Sequence, residues 1–103
     1  MRKNPYLDAE DIKRNILPYD FYINEQDLSR FGVRSQSWVV AGLCPFHDDH
    51  SPGSFKINLE NGAFVCFSCG AKGGDIISFT QHKHQLSFRQ ALERLAREWR
   101  VRC

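Results

Sequence analysis

Apolar positions in the first twenty residues follow helical spacing. Asp8 suits an N-cap, Asp11 falls at N3, and Leu7 is placed to staple against Ile12 across the cap. Ile12 and Ile16 then share a face, and Pro18 closes the segment because it has no amide to donate. From residue 19 to 32 the signal is mixed. Phe21, Tyr22 and Ile23 read as a short extended piece, and residues 24–31 as a turn or helical stub.

The period then changes to two. Residues 37–43 are rich in β-branched and aromatic side chains and predict a strand ending at Cys44. Residues 54–59 alternate, with Phe55, Ile57 and Leu59 on one face and Lys56 and Asn58 on the other. Asn61-Gly62 is a strong hairpin signal, and residues 63–66 form the return strand. An antiparallel sheet of about three or more strands follows.

Helical spacing resumes after a glycine-rich turn at residues 70–74. Asp75 opens a short apolar helix over 75–81. His82 and His84 fall beyond it, in an expected solvent-facing loop. In the last helix Ser87 and Gln90 make a capping box, with Leu86 placed to staple against Ala91. Phe88, Ala91, Leu92, Leu95, Ala96 and Trp99 form its apolar stripe, and the arginines lie mainly off it.

At 103 residues the chain has the size of one domain. The expected division is an N-terminal helical arm over 1–34, a ribbon over 35–81 and a basic amphipathic helix over 82–103. The longest apolar run, residues 38–44, is too short to span a bilayer, and the start of the chain lacks the apolar stretch of a signal peptide. A cytoplasmic protein that does not enter the membrane is therefore expected. The net charge of +2 is unevenly spread: residues 1–34 balance, residues 35–81 carry two more acids than bases, and residues 82–103 carry four more bases than acids. Such a basic end is compatible with nucleic-acid contact, but solvated helix faces commonly look the same.

The cysteines are more informative. Cys44-Pro45-Phe46-His47 and Cys66-Phe67-Ser68-Cys69 are two knuckles, each with two intervening residues. That spacing lets both side chains of a knuckle reach one ion, and two knuckles complete a tetrahedron. Three thiolates and an imidazole suit Zn²⁺ better than the oxygen-seeking Mg²⁺ or Ca²⁺. One zinc held by Cys44, His47, Cys66 and Cys69 leaves no open coordination position, so the expected role is structural. His50 is an alternative fourth ligand with a less usual spacing, and a lone Cys-x-x-Cys redox pair lacks the βαβ context it needs. Cys103 is expected to be a free terminal thiol.

The ordered set Cys44-Pro45-Phe46-His47, Ser51-Pro52-Gly53-Ser54-Phe55, Cys66-Phe67-Ser68-Cys69-Gly70, Gly73-Gly74-Asp75, Ser87-Phe88, Ala91-Leu92 and Leu95-Ala96 resembles the CHC2-type zinc-binding domain of bacterial and phage DNA primases. The resemblance covers roughly residues 35–98. It departs from the family pattern at Gly53, inserted between Pro52 and Ser54, and in a turn lengthened around Lys72; both are turn positions that tolerate insertion. The resemblance implies an α+β fold: a zinc ribbon with a small antiparallel sheet flanked by N-terminal and C-terminal helices.

It also implies a module that binds single-stranded DNA template in replication priming and supports a separate primase catalytic subunit or replicative helicase. Strand alternation places Lys56 on the solvent side, with Trp38 and Phe64 as stacking platforms and Lys72 as a further cation. The alternative function is a zinc-ribbon adaptor that docks a protein without touching DNA. An enzyme acting alone is not expected: no acidic catalytic domain follows in these residues, and the adjacent Asp48 and Asp49 make a poor carboxylate pair. Gly70 to Gly74 also lacks the Lys-Ser/Thr of a phosphate loop.

Overall fold

The structure, a computed structural model, describes residues 8–26, 38–48 and 53–99. The Leu7 staple, Asp49, His50, Cys103 and most of the segment 24–31 lie outside the described residues. The chain opens with α1 (Ala9–Asn15) and α2 (Pro18–Gln26). The Asp8 carboxylate caps α1 by accepting the Glu10 amide at 3.0 Å, and Ile12 and Ile16 are buried as their spacing predicts.

The extended piece expected at Phe21, Tyr22 and Ile23 is helical instead. Pro18 opens α2, where its fixed φ suits a first turn and its missing N–H would have had no intrahelical acceptor. Phe21 and Tyr22 are both buried, and their packing overrides the strand preference of the Phe-Tyr-Ile triplet. The Tyr22 hydroxyl donates to the Gly62 carbonyl at 2.7 Å, tying α2 to a hairpin loop forty residues away. Burial, reinforced by the Asp75 charge, raises the pKa of this phenol and keeps it a donor.

The sheet runs β1 (Trp38–Val40), β2 (Phe55–Asn58), β3 (Phe64–Cys66) and β4 (Lys72–Gly73), in that spatial order and antiparallel throughout. The fourth strand replaces part of the expected flexible turn. Two residues, one a glycine, carry no alternation that sequence could reveal, yet they pair with Phe64 and Val65. Asn58 departs from expectation too. It is only 6% exposed because its side-chain oxygen accepts the amides of Glu60 at 2.8 Å and Asn61 at 3.1 Å, folding the hairpin loop over itself. Gly62 closes that loop at φ +84°, where a side chain would be strained and a Cβ would meet Ile76.

Helix α3 (Ile76–His84) starts at Asp75, whose carboxylate accepts the Ser78 amide at 2.9 Å. It runs past the predicted end at residue 81, so His82 and His84 sit on the helix and not in a loop. Gln85 terminates it in the left-handed region at φ 55°. Helix α4 (Phe88–Trp99) carries both bonds of the Ser87–Gln90 capping box, at 2.9 and 3.1 Å. Ala91, Leu92, Leu95 and Ala96 are buried as expected; Phe88, at the first turn and 51% exposed, is not part of the stripe.

The core lies on one side of the sheet. Val39, Phe55, Ile57, Phe64 and Cys66 supply the sheet's share, and Phe79 of α3 packs at the centre. Its ring lies 5.0–6.3 Å, centre to centre, from those of Phe21, Tyr22, Phe46, Phe55 and Phe64. No helix among the described residues is long and apolar enough to cross a membrane.

Gly73 is where this packing has least room. A Cβ there would sit 2.7 Å from both Phe64 Cζ and Ser78 Cβ, while one on Gly74 would meet nothing within 4 Å. Gly73→Ala is expected to cost about 1–3 kcal/mol by overpacking, and Gly74→Ala much less. Urea midpoints of the two variants check this; equal midpoints would refute the close approach.

Candidate metal centre and open sheet face

The two knuckles sit where strands end. Cys44 follows β1 after a short bend, and Cys66 is the last residue of β3. Antiparallel pairing through β2 brings the ends of those strands together, so residues 22 apart in sequence meet without a dedicated scaffold. Ligand atoms of Cys44, His47, Cys66 and Cys69 all lie within 4.8 Å of one another, and no disulfide joins the three cysteines. The spacing within the cluster separates a metal site from a disulfide. Cys44 and Cys69 sulfurs are 3.9 Å apart, far beyond a disulfide bond of about 2.05 Å. Tetrahedral Zn–S bonds of about 2.3 Å set sulfurs about 3.8 Å apart.

Backbone amides hold the sulfurs in place. The Phe46 N–H donates to Cys44 Sγ at 3.3 Å, and the second knuckle turns through the Gly70 amide onto the Cys66 carbonyl at 2.9 Å. Burial pushes the Cys44 thiol up to about 12, partly offset by the Phe46 amide. Burial also opposes ionisation of Cys66, but the amides of Cys69 and Ser68 and the neighbouring thiols outweigh it, leaving that thiol below its usual range. Crowding sulfurs in a low-dielectric cluster thus makes full ionisation unfavourable, and a bound dication would supply the compensating charge. Cys44 and Cys66 are buried, His47 is half-buried and Cys69 is exposed.

Among the described residues, no helix covers the other face of the sheet. In-register pairing aligns Val40, Lys56, Val65 and Lys72 in one row across all four strands. One step along, Trp38 stands opposite Asn58, 43% exposed. Trp38, Phe64, Val65, Lys72, Gly73 and Gly74 line a groove of about 500 Å³. Lys56 is half-buried on this face and Lys72 exposed.

Phe64 does not fit its expected role as a stacking platform. It is 1% exposed, and its ring points inward against Phe46 at 5.4 Å and Phe79 at 5.4 Å. Its strand position is one removed from Val65, so it belongs to the core face. The reading from sequence instead missed Phe67, which is 71% exposed in the second knuckle, with the Lys56 ammonium 5.7 Å from its ring centre. The period-two count that places Val65 outward also places Phe67 outward, because the Phe67 amide bonds the Ser54 carbonyl at 3.0 Å and continues the ladder.

Comparison with known proteins supplies the context. The chain is 39% identical over 92 residues to the DNA primase of Streptomyces coelicolor, covering 87% of this chain and 14% of that protein. It is 47% identical over 92 residues to the DNA primase of Mycobacterium leprae, covering 89% of this chain and 13% of the relative. The chain therefore spans about one seventh of the length of the curated relatives it matches. Among solved structures, the Aquifex aeolicus primase, comprising zinc-binding and RNA polymerase domains, aligns over 100% of this chain and 23% of its own length, with a TM-score of 0.68 and 25% identity. A CHC2 zinc finger profile matches residues 24–103. With the Cys₃His cluster in place and most of its length covered by that profile, the chain belongs to the CHC2 zinc finger family, whose cofactor is zinc.

Proposed function

We propose that residues 1–103 act as one zinc-binding domain that holds single-stranded DNA template during replication priming. The observation that carries this reading is the sheet face that the described helices leave uncovered. Its row of Val40, Lys56, Val65 and Lys72, beside Trp38, combines cations for phosphates with a flat ring for a base. The likeness to DNA primases supports the same direction. Cys44, His47, Cys66 and Cys69 hold one Zn²⁺; with every position filled by protein, the ion's contribution is to fix the ends of β1 and β3. Lys56 and Lys72 pair with phosphates, and Trp38 stacks on a base over the groove. A primase catalytic subunit or a replicative helicase is the natural protein partner, in the cytoplasm. The 103 residues alone are expected to make no primer when supplied with template, nucleotides and Mg²⁺. An adaptor role draws on a different observation: Leu17 and Phe88 are exposed apolar side chains outside the sheet. A salt-tolerant complex with one protein, without affinity for DNA, would favour it.

The metal assignment is tested first. Protein purified without chelator should contain one zinc per chain by elemental analysis. Structural zinc contributes roughly 10–16 kcal/mol in small modules, comparable to a domain's whole stability of about 5–15 kcal/mol. Cys69→Ala should therefore abolish the cooperative thermal transition. A native-like transition in that variant would show that the aromatic core suffices without metal.

Template binding is tested by fluorescence titration with short oligonucleotides. Affinity should fall steeply between 50 and 200 mM salt, values chosen for the assay from the range over which counterion release is felt. Lys56→Ala should weaken binding and reduce the salt slope by about one phosphate's worth, with the thermal transition unchanged. Absence of binding at low salt by zinc-loaded, folded protein would overturn the reading.

A further inference from the structure

We infer that Phe67, at the tip of the second metal knuckle, is a base-stacking platform for single-stranded nucleic acid. The inference rests on the single-strand reading above and adds a contact residue that the sequence analysis did not contain. Phe67 has the highest exposure among the large exposed hydrophobic side chains of the described residues, at 71%. A phenyl ring so open to water gains nothing for folding, and a single such residue would need no explanation. Its setting does call for one.

The ring is held in place from one side. The Lys56 ammonium lies 5.7 Å from its centre, within cation–π range, a contact that favours the ring orientation in which the two meet. The adjoining backbone is fixed by the Phe67 amide on Ser54 and by the turn that carries Cys66 and Cys69. An aromatic on a fixed backbone, with one orientation already favoured, loses less entropy when a flat ligand stacks on it. With the cation on one side and the other side open to solvent, the ring is shaped for one more planar partner.

Register places this platform usefully. Trp38 lies opposite Asn58, which pairs through its amide with Ala63, whereas Phe67 continues β3 at its other end. Along the strands the two aromatic positions are therefore about four residues apart, roughly 13 Å. The Lys56–Lys72 row runs between them. A strand that stacks a base at each end must carry its phosphates over that row, so the face holds a polyanion with bases better than it holds either alone. Among the described outward positions of this face (Trp38, Val40, Lys56, Asn58, Ala63, Val65, Phe67, Lys72) none is acidic.

The test compares two ligands of equal charge: a twelve-nucleotide oligothymidylate and an abasic oligomer of the same length. Wild-type protein with zinc bound should prefer the oligothymidylate. Phe67→Ala should lose roughly 5- to 150-fold in affinity for it, the range seen when one base-stacking aromatic is removed, with affinity for the abasic oligomer unchanged. Phe67→Tyr, which keeps the ring, should retain the preference, and Phe67→Leu, which keeps apolar bulk only, should lose it. Zinc content and the thermal transition of each variant check the fold. Equal oligothymidylate affinity in wild type and Phe67→Ala would overturn the platform while leaving the single-strand reading intact. So would a parallel loss on both ligands, or a Leu variant as good as the Tyr variant. Failure of the wild type to bind oligothymidylate at low salt would overturn both.

Discussion

Everything in this fold depends on covering one face of a four-stranded sheet with a single layer of helix. Phe79 is the point where that cover is made. Its ring packs against Phe21 and Tyr22 of α2 and against Phe46, Phe55 and Phe64 of the ribbon. All but the Phe55 contact are edge-to-face, a geometry that adds about 0.5–1.5 kcal/mol per contact beyond burial, so one side chain of α3 joins α2 to the ribbon. The described helices all pack on that one face, and the side chains of the other are available for a ligand.

The metal centre and the open face are linked by the same strands. β2 pairs on both sides, with β1 and with β3, and the knuckles hang from the ends of those two neighbours. Phe46 belongs to the first knuckle yet packs its ring into the core against Phe55, Phe64 and Phe79. Phe67 belongs to the second knuckle yet faces outward. One knuckle therefore communicates with the core and the other with solvent. A change at the metal would be felt on both sides of the sheet, through strand ends whose positions the ligands share.

Much of the structure was legible in the sequence because it is encoded locally. The Asp8 and Asp75 caps, the Ser87–Gln90 box and the alternation at Phe55, Lys56 and Ile57 are all short-range signals, and each is observed. The Cys₃His cluster was legible for the same reason, since two residues of spacing are a geometric statement. The failures share a cause of the opposite kind. Phe21 and Tyr22 look like a strand until Phe79 and the Gly62 carbonyl are there to receive them. β4 has no pattern of its own and exists because β3 offers it an edge. Asn58 looks like a solvent residue until the loop it bonds folds over it.

Phe64 and Phe67 show how far one register step matters. Phe64 opens β3 and Phe67 follows its last residue, three positions on, and an odd separation puts them on opposite faces. Counting from Val65 would have placed both, whereas choosing an aromatic by its neighbourhood placed neither. The same logic applies to charge. Residues 35–81 carry an excess of two acids, which by itself argues against a nucleic-acid surface. Yet Asp75 is committed to the start of α3, Glu60 sits in the hairpin loop and Asp48 in the turn of the first knuckle, while Lys56 and Lys72 share one row of the sheet. Meanwhile two of the arginines near the C-terminus lie on α4 in pairs with glutamates, Arg89 with Glu93 at 3.5 Å and Arg94 with Glu98 at 3.2 Å. Pairing register sorts charges by face, and a ligand meets the face and not the sum.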